Sequence, residues 1–263
     1  PLYSSAASDV YKRQTPDLPL PDRMSYLRAE GGDDEQTDGK VVDETIRLLE
    51  RHAGKPFFIA AGLYRPHIPY IAPKKYFDLY DIRKTVLPKW PAGYPHSVPA
   101  AALASTPTWP NFGVTERQAR ECILAYDACI SFIDAQIGRL LAAVDRLGLT
   151  SRTAVVIWGD HGYHLGEHGL WRKNSLFEES ARTALIIAAP NMLRRTNVCP
   201  SPTELIDIYP TVVEVAGLPL PAGLEGVSLV PLLRDPGTPW DRPAFTQVQF
   251  AKVGGRSVRT RQW

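Results

Sequence analysis

Residues 153–173 read TAVVIWGDHGYHLGEHGLWRK, and no other stretch constrains the chain as much. The apolar run Ala154-Val155-Val156-Ile157-Trp158 is short, β-branched and uncharged, the pattern of a buried parallel strand. It stops at Gly159-Asp160-His161-Gly162, followed by His164, Glu167, His168, Arg172 and Lys173. In doubly wound α/β sheets, ligands bind beyond the carboxyl ends of the strands, which is where such a strand delivers Asp160 and His161.

The remaining elements extend the α/β rhythm. Val41–His52 has the apolar spacing of an amphipathic helix, ended by Gly54. Pro56–Gly62 reads as a compact buried strand, and Thr183–Ala189 as another closed by Pro190. Thr115 and Gln118 form a capping box that opens a long helix to about Leu147, with Gly148 just past its end. Its predicted core stripe is Ile123, Tyr126, Ile130, Ile133, Ile137, Leu140, Leu141, Val144 and Leu147. Asp207 is placed to cap a helix over 208–216 that Gly217 terminates, and 246–250 with 255–260 read as paired strands. Ala72–Asn111 is a long proline-punctuated connection with a helical turn near 74–80, and Asp33-Asp34 reads as a solvated loop.

At 263 residues, with 44% apolar and 22% charged side chains, the chain can bury a sizeable core. A net charge of +2 without long blocks of one sign gives no support for binding nucleic acid or a membrane surface. The longest apolar run, 56–64, falls well short of the roughly 20 residues a spanning helix needs. Three cysteines make no disulfide framework, and Cys122 and Cys129 on the long helix read as small core side chains. Residues 1–14, PLYSSAASDVYKRQ, lack periodicity and are read as a non-native leader.

The ionisable residues allow two readings each. Asp160 and His161 either converge on a hard cation or are a helix cap beside a loop histidine. Lys173 is a solvated charge or an anion-binding ammonium, and His67, between Pro66 and Pro69, is a loop histidine or a proton donor to a leaving group. His164, Glu167 and His168 share the spacing of the inverted zinc-protease motif, but Gly162, Gly166 and Gly169 oppose the helix that motif needs. They read instead as groups that order the loop or support the site, with His164 also a candidate for contacting substrate.

Several strings resemble the sulfatase family, in particular its iduronate-2-sulfatase-like members. They are Lys55-Pro-Phe-Phe-Ile-Ala-Ala-Gly62, Arg65-Pro-His-Ile-Pro69, Gly159 through Lys173, Asp207-Ile-Tyr-Pro-Thr211 and Gly226-Val-Ser-Leu229. The resemblance runs in order through residues 36–262. It implies an alkaline-phosphatase-like α/β fold, a mostly parallel sheet flanked by helices and incomplete at both ends. Residues 15–240 would be the central and C-terminal part of the α/β domain, and 241–263 the first strands of a truncated C-terminal subdomain. It further implies a bound calcium ion (Ca2+) and hydrolysis of a sulfate monoester, a sulfated small molecule or saccharide. Asp160 and His161 resemble the calcium-side pair, Lys173 the sulfate-binding lysine, and His67 the histidine at the sulfate or leaving oxygen. The family's formylglycine arises in a C/S-x-P-x-R motif that this chain lacks, so the nucleophile and first metal carboxylates are expected upstream and the 263 residues alone are expected to be inactive. A phosphoester or phosphonate hydrolase of the same superfamily is the competing expectation. A periplasmic, secreted or lysosome-like location is implied by the same resemblance.

Overall fold

The computed structural model describes residues 24–105, 109–190, 192, 198–250 and 253–263. Residues 1–14, read from the sequence as a leader, lie outside the described residues. The chain divides into two compact units, the first Pro1–Ala92, Thr106–Leu149 and Leu165–Trp171, the second Gly93–Ser105, Thr150–His164 and Arg172–Trp263.

In the first unit, β1 (Tyr26–Ala29) runs parallel to β2 (Tyr70–Pro73), with Tyr26 opposite Tyr70 and Arg28 opposite Ala72. Helix α1 spans Thr37–His52, opening one turn earlier than its apolar pattern marks. The extra turn holds Gly39, where any Cβ would meet the carbonyl oxygen of Asp33. The predicted turn after β2 is present as α2 (Lys74–Phe77).

The long helix is α3, Glu116–Arg146, opened by the Thr115–Gln118 capping box as expected. It closes in a Schellman arrangement: Gly148, at φ 65°, donates to Asp145, and Leu149 donates to Val144 at 3.0 Å. The predicted aliphatic stripe is buried only in part, with Ile123 buried and Val144 and Leu147 packed against the core. Ile130 and Leu141 are exposed, and the core face is Ala119, Cys122, Ala125, Cys129, Phe132, Gln136 and Ala143. Periodicity finds a helix, but burial follows close approach, and small side chains let α3 lie against β2 and α1. Cys122 and Cys129 are core residues as read, and burial pushes both thiols up to about 12.

Asp33 corrects the solvated-loop expectation. Its carboxylate accepts from the Tyr76 hydroxyl at 2.7 Å and the Gln136 amide at 3.1 Å, and pairs with the Lys75 ammonium at 2.8 Å. Burial by itself would raise its pKa, but these hydrogen bonds outweigh burial and hold it below the ordinary carboxylate value.

Pro56–Gly62 is also corrected: it joins no ladder among the described residues. Phe57 and Ile59 pack against Leu49, Ala143 and Leu149, while Phe58 is 82% exposed. Apolar content supplies a side-chain preference, but a strand needs a backbone neighbour.

In the second unit, β3 (Val155–Trp158) pairs with β4 (Leu185–Ala188) antiparallel, Val155 opposite Ala188 and Trp158 opposite Leu185. The expectation of a buried parallel strand is corrected here, since the neighbour runs the other way and Trp158 is 50% exposed. A β-branched run favours a strand without dictating its partner's direction. Between them lies the single turn α4 (Glu178–Ala181), and α5 follows over Ile208–Val215. Asp207 sits at the N-cap of α5, yet its carboxylate accepts from Glu204 N–H at 3.0 Å and Val227 N–H at 2.9 Å, outside the helix. Thr211 donates to the Asp207 carbonyl and accepts from Leu229 N–H, so the Asp207–Thr211 and Gly226–Leu229 strings form one buried knot. Strands β5 (Ala244–Phe250) and β6 (Val253–Arg259) form the expected antiparallel hairpin.

Candidate active site

The turn after β3 lies on the segment that leads into β4. Gly159 N–H donates to Ala184 at 3.1 Å and Gly162 N–H to Ser180 at 2.8 Å. A Cβ on Gly159 would meet the Thr183 hydroxyl, and one on Gly162 would meet the carbonyls of Glu179 and Arg182. The two glycines thus bring the turn into backbone contact and turn Asp160 to water, its side chain 83% exposed.

His161 Nε2 stands 3.3 Å from Asp160 Oδ2, and its Nδ1 is 2.7 Å from the Gly162 carbonyl. A carbonyl only accepts, so Nδ1 carries the proton. In the neutral ring, Nε2 then presents its lone pair beside the Asp160 oxygen. Two electron-pair donors side by side at a water-facing point suit a cation. Calcium takes six to eight oxygen ligands, more than such a pair could supply. Among the described residues no group of three or more His, Cys, Asp and Glu is placed to hold a metal.

Lys173 is tied to the same turn through its backbone. Its carbonyl accepts from Ser175 N–H at 3.0 Å and from the Ser180 hydroxyl. Ser180 therefore receives Gly162 on its carbonyl and holds Lys173 with its side chain. Nothing in the string Glu178-Glu179-Ser180 marks this serine in advance.

His164 is completely buried, its Nε2 2.7 Å from the Ser175 hydroxyl and its ring edge-on to Phe177. Such an imidazole offers no surface to a substrate, which corrects its reading as a substrate contact and leaves the loop-ordering one. Glu167–Gly169 form a 3-10 turn with His168 at φ 58°, so the two histidines share no α-helical face and zinc-protease geometry is absent. Glu167 accepts from Leu165 N–H at 2.6 Å, and the His168 carbonyl accepts from the Trp109 indole at 2.8 Å.

His67 belongs to the first unit, on the exposed loop after Gly62. Its Nδ1 lies 2.6 Å from the Ile68 carbonyl, so by the same argument Nδ1 is protonated. Asp38 and Arg65, which sequence reasoning missed, hold this loop. Buried Asp38 accepts the N–H groups of Tyr64 and Arg65, and Arg65 Nε donates to the Ile71 carbonyl at 2.9 Å. A carboxylate inside the first turn of α1 reads as a macrodipole partner, which hides its long-range contacts.

Within the second unit, the Asp160–His161 pair stands beyond β3 and the Lys173 backbone is fastened to the same turn. The chain matches the family model for sulfatases over residues 3–218. It is 33% identical over 201 residues to a sulfatase of Formosa agariphila, covering 75% of this chain and 39% of that protein. Identity is 34% to choline-sulfatase of Rhizobium meliloti (68% and 36% coverage) and 32% to human iduronate 2-sulfatase (74% and 38%). Among solved structures, phosphonate monoester hydrolase from Silicibacter pomeroyi superposes with a TM-score of 0.76 at 23% identity, covering 94% of this chain and 53% of that one. A 2-O GAG sulfatase gives 0.63 at 20% identity, covering 93% and 55%. The chain belongs to the sulfatase family and has its alkaline-phosphatase-like α/β fold. It spans less than two-fifths of the length of the three curated relatives named here.

Proposed function

We propose that the protein is a sulfuric ester hydrolase acting on a sulfate monoester, with a sulfated saccharide as the substrate class. Family membership and the Asp160–His161 pair carry the reading. Asp160 and His161 would hold a divalent cation, calcium in the family's manner, and the bound ion would supply positive charge for the sulfate oxygens. The Lys173 ammonium would neutralise another of those oxygens, on a backbone that Ser175 and Ser180 fix. His67, with Nδ1 committed to the Ile68 carbonyl, would act as an imidazolium, passing its Nε2 proton to the departing oxygen and remaining as the neutral Nδ1–H ring. The nucleophile, a formylglycine in this reading, is assigned to no residue of this chain. A location outside the cytoplasm is part of the same proposal, checked by fractionating cells that carry the native gene.

The test is turnover by the full-length protein on matched sulfate, phosphate and phosphonate monoesters. Sulfate should be preferred; dominant phosphate or phosphonate turnover sinks the proposal. Asp160→Ala in the full-length protein should remove both calcium-dependent activity and one equivalent of bound metal. Unchanged metal content and turnover would count against the site.

A further inference from the structure

We propose that Asp38 and Arg65 are positioning residues that set the orientation and tautomer of His67, an inference that rests on the role given to His67 above. His67 is exposed, on a loop with no helix or strand of its own, so its geometry must come from contacts at the base of the loop. Those contacts are unusual for a surface loop. Asp38 is 2% exposed and spends both carboxylate oxygens on consecutive backbone N–H groups, Tyr64 and Arg65, anchoring the loop to α1. Arg65 folds back under the loop: Nε donates to Ile71 in β2, and Nη1 reaches the His67 carbonyl at 3.4 Å.

The same guanidinium lies 4.8 Å from the Tyr64 ring centroid, and that ring's centroid stands 5.0 Å from that of the His67 imidazole. The loop thus has a charged floor, an aromatic wall and an anchored entrance, with the imidazole at the end of the chain of contacts. Withdrawing the guanidinium removes its contacts with the His67 carbonyl and the Tyr64 ring together, leaving the Tyr64 hydroxyl, which donates to the Ile68 carbonyl at 3.3 Å, beside the Nδ1–Ile68 bond that selects the tautomer. A cavity of about 240 Å³ borders Asp38 and Arg65, so a shorter side chain at Arg65 leaves space and not a clash.

The experiment compares phenyl sulfate with 4-nitrophenyl sulfate on the full-length enzyme. Proton delivery matters more for the poorer leaving group, so His67→Ala should reduce kcat on phenyl sulfate about tenfold or more beyond its effect on 4-nitrophenyl sulfate. Arg65→Met should reproduce that selective loss at about ten- to a hundredfold with little change in KM, and Arg65→Lys should fall between. Equal losses on both esters for Arg65→Met, beside a selective loss for His67→Ala, would overturn the positioning role while leaving the function intact. No selective loss for His67→Ala would remove the role given to His67 itself. Long-range 1H–15N spectra of the histidines read the same point without turnover: in its neutral form wild-type His67 should be a single Nδ1–H tautomer, and in Arg65→Met a mixture. Retention of the single tautomer in Arg65→Met, or in Asp38→Asn if the former does not fold, refutes the proposal.

Discussion

Gly162 shows how one residue controls the site's shape. Its amide is bound to Ser180, and a Cβ would be driven into two backbone carbonyls that cannot move independently of α4. Gly162→Ala should therefore cost about 3 kcal/mol, measured by urea unfolding, as overpacking against rigid backbone does. Asp33 is the counterpart in the first unit. Its carboxyl is held below the ordinary value, so it stabilises the fold fully above the unfolded carboxylate pKa of about 3.9 and ceases to do so as pH falls through the folded value. Asp33→Asn should flatten the acid limb of the stability–pH profile; an unaltered limb would show that the contacts with Lys75, Tyr76 and Gln136 carry no net stability. Neither residue's partners could be read from its surroundings in the chain. Gly162 is flanked by polar residues and Asp33 by a second aspartate, and what each touches lies tens of residues away.

At the scale of elements, α3 was the most legible. A capping box, a helical period and a glycine just past the end are all local, and each survives in the structure. Thr115→Ala should cost about 1 kcal/mol in the same unfolding measurement. The hairpin 244–259 and helix α5 were legible for the same reason. Which face of α3 is buried was legible only in part, because that depends on the neighbours and on how closely small residues such as Ala125 and Ala128 let them approach. Pro56–Gly62 and β3 failed in a related way: pairing is a property of two segments, and one segment's composition specifies neither a partner nor its direction.

For the whole molecule, the three cysteines give a direct test of the described structure. Cys122 and Cys129 are fully buried on α3, with thiols pushed up to about 12, while Cys199 is partly exposed. A thiol reagent at neutral pH should titrate one cysteine in the native protein and all three after denaturation; rapid labelling of three would contradict the packing of α3. The sequence by itself determined the family resemblance, through five separated strings, and residues 153–173 the Asp160–His161 pairing and the rejection of a helical zinc site, because adjacency, glycine spacing and strand-ending are properties of contiguous chain. Only the tertiary structure decided that His164 is sealed against Ser175, that Ser180 fastens Lys173 to the Gly162 turn, and that Asp38 with Arg65 underlies His67. Those contacts satisfy buried polar groups, and a buried polar group takes whatever partner the fold brings within about 3 Å, however far away it lies in the sequence.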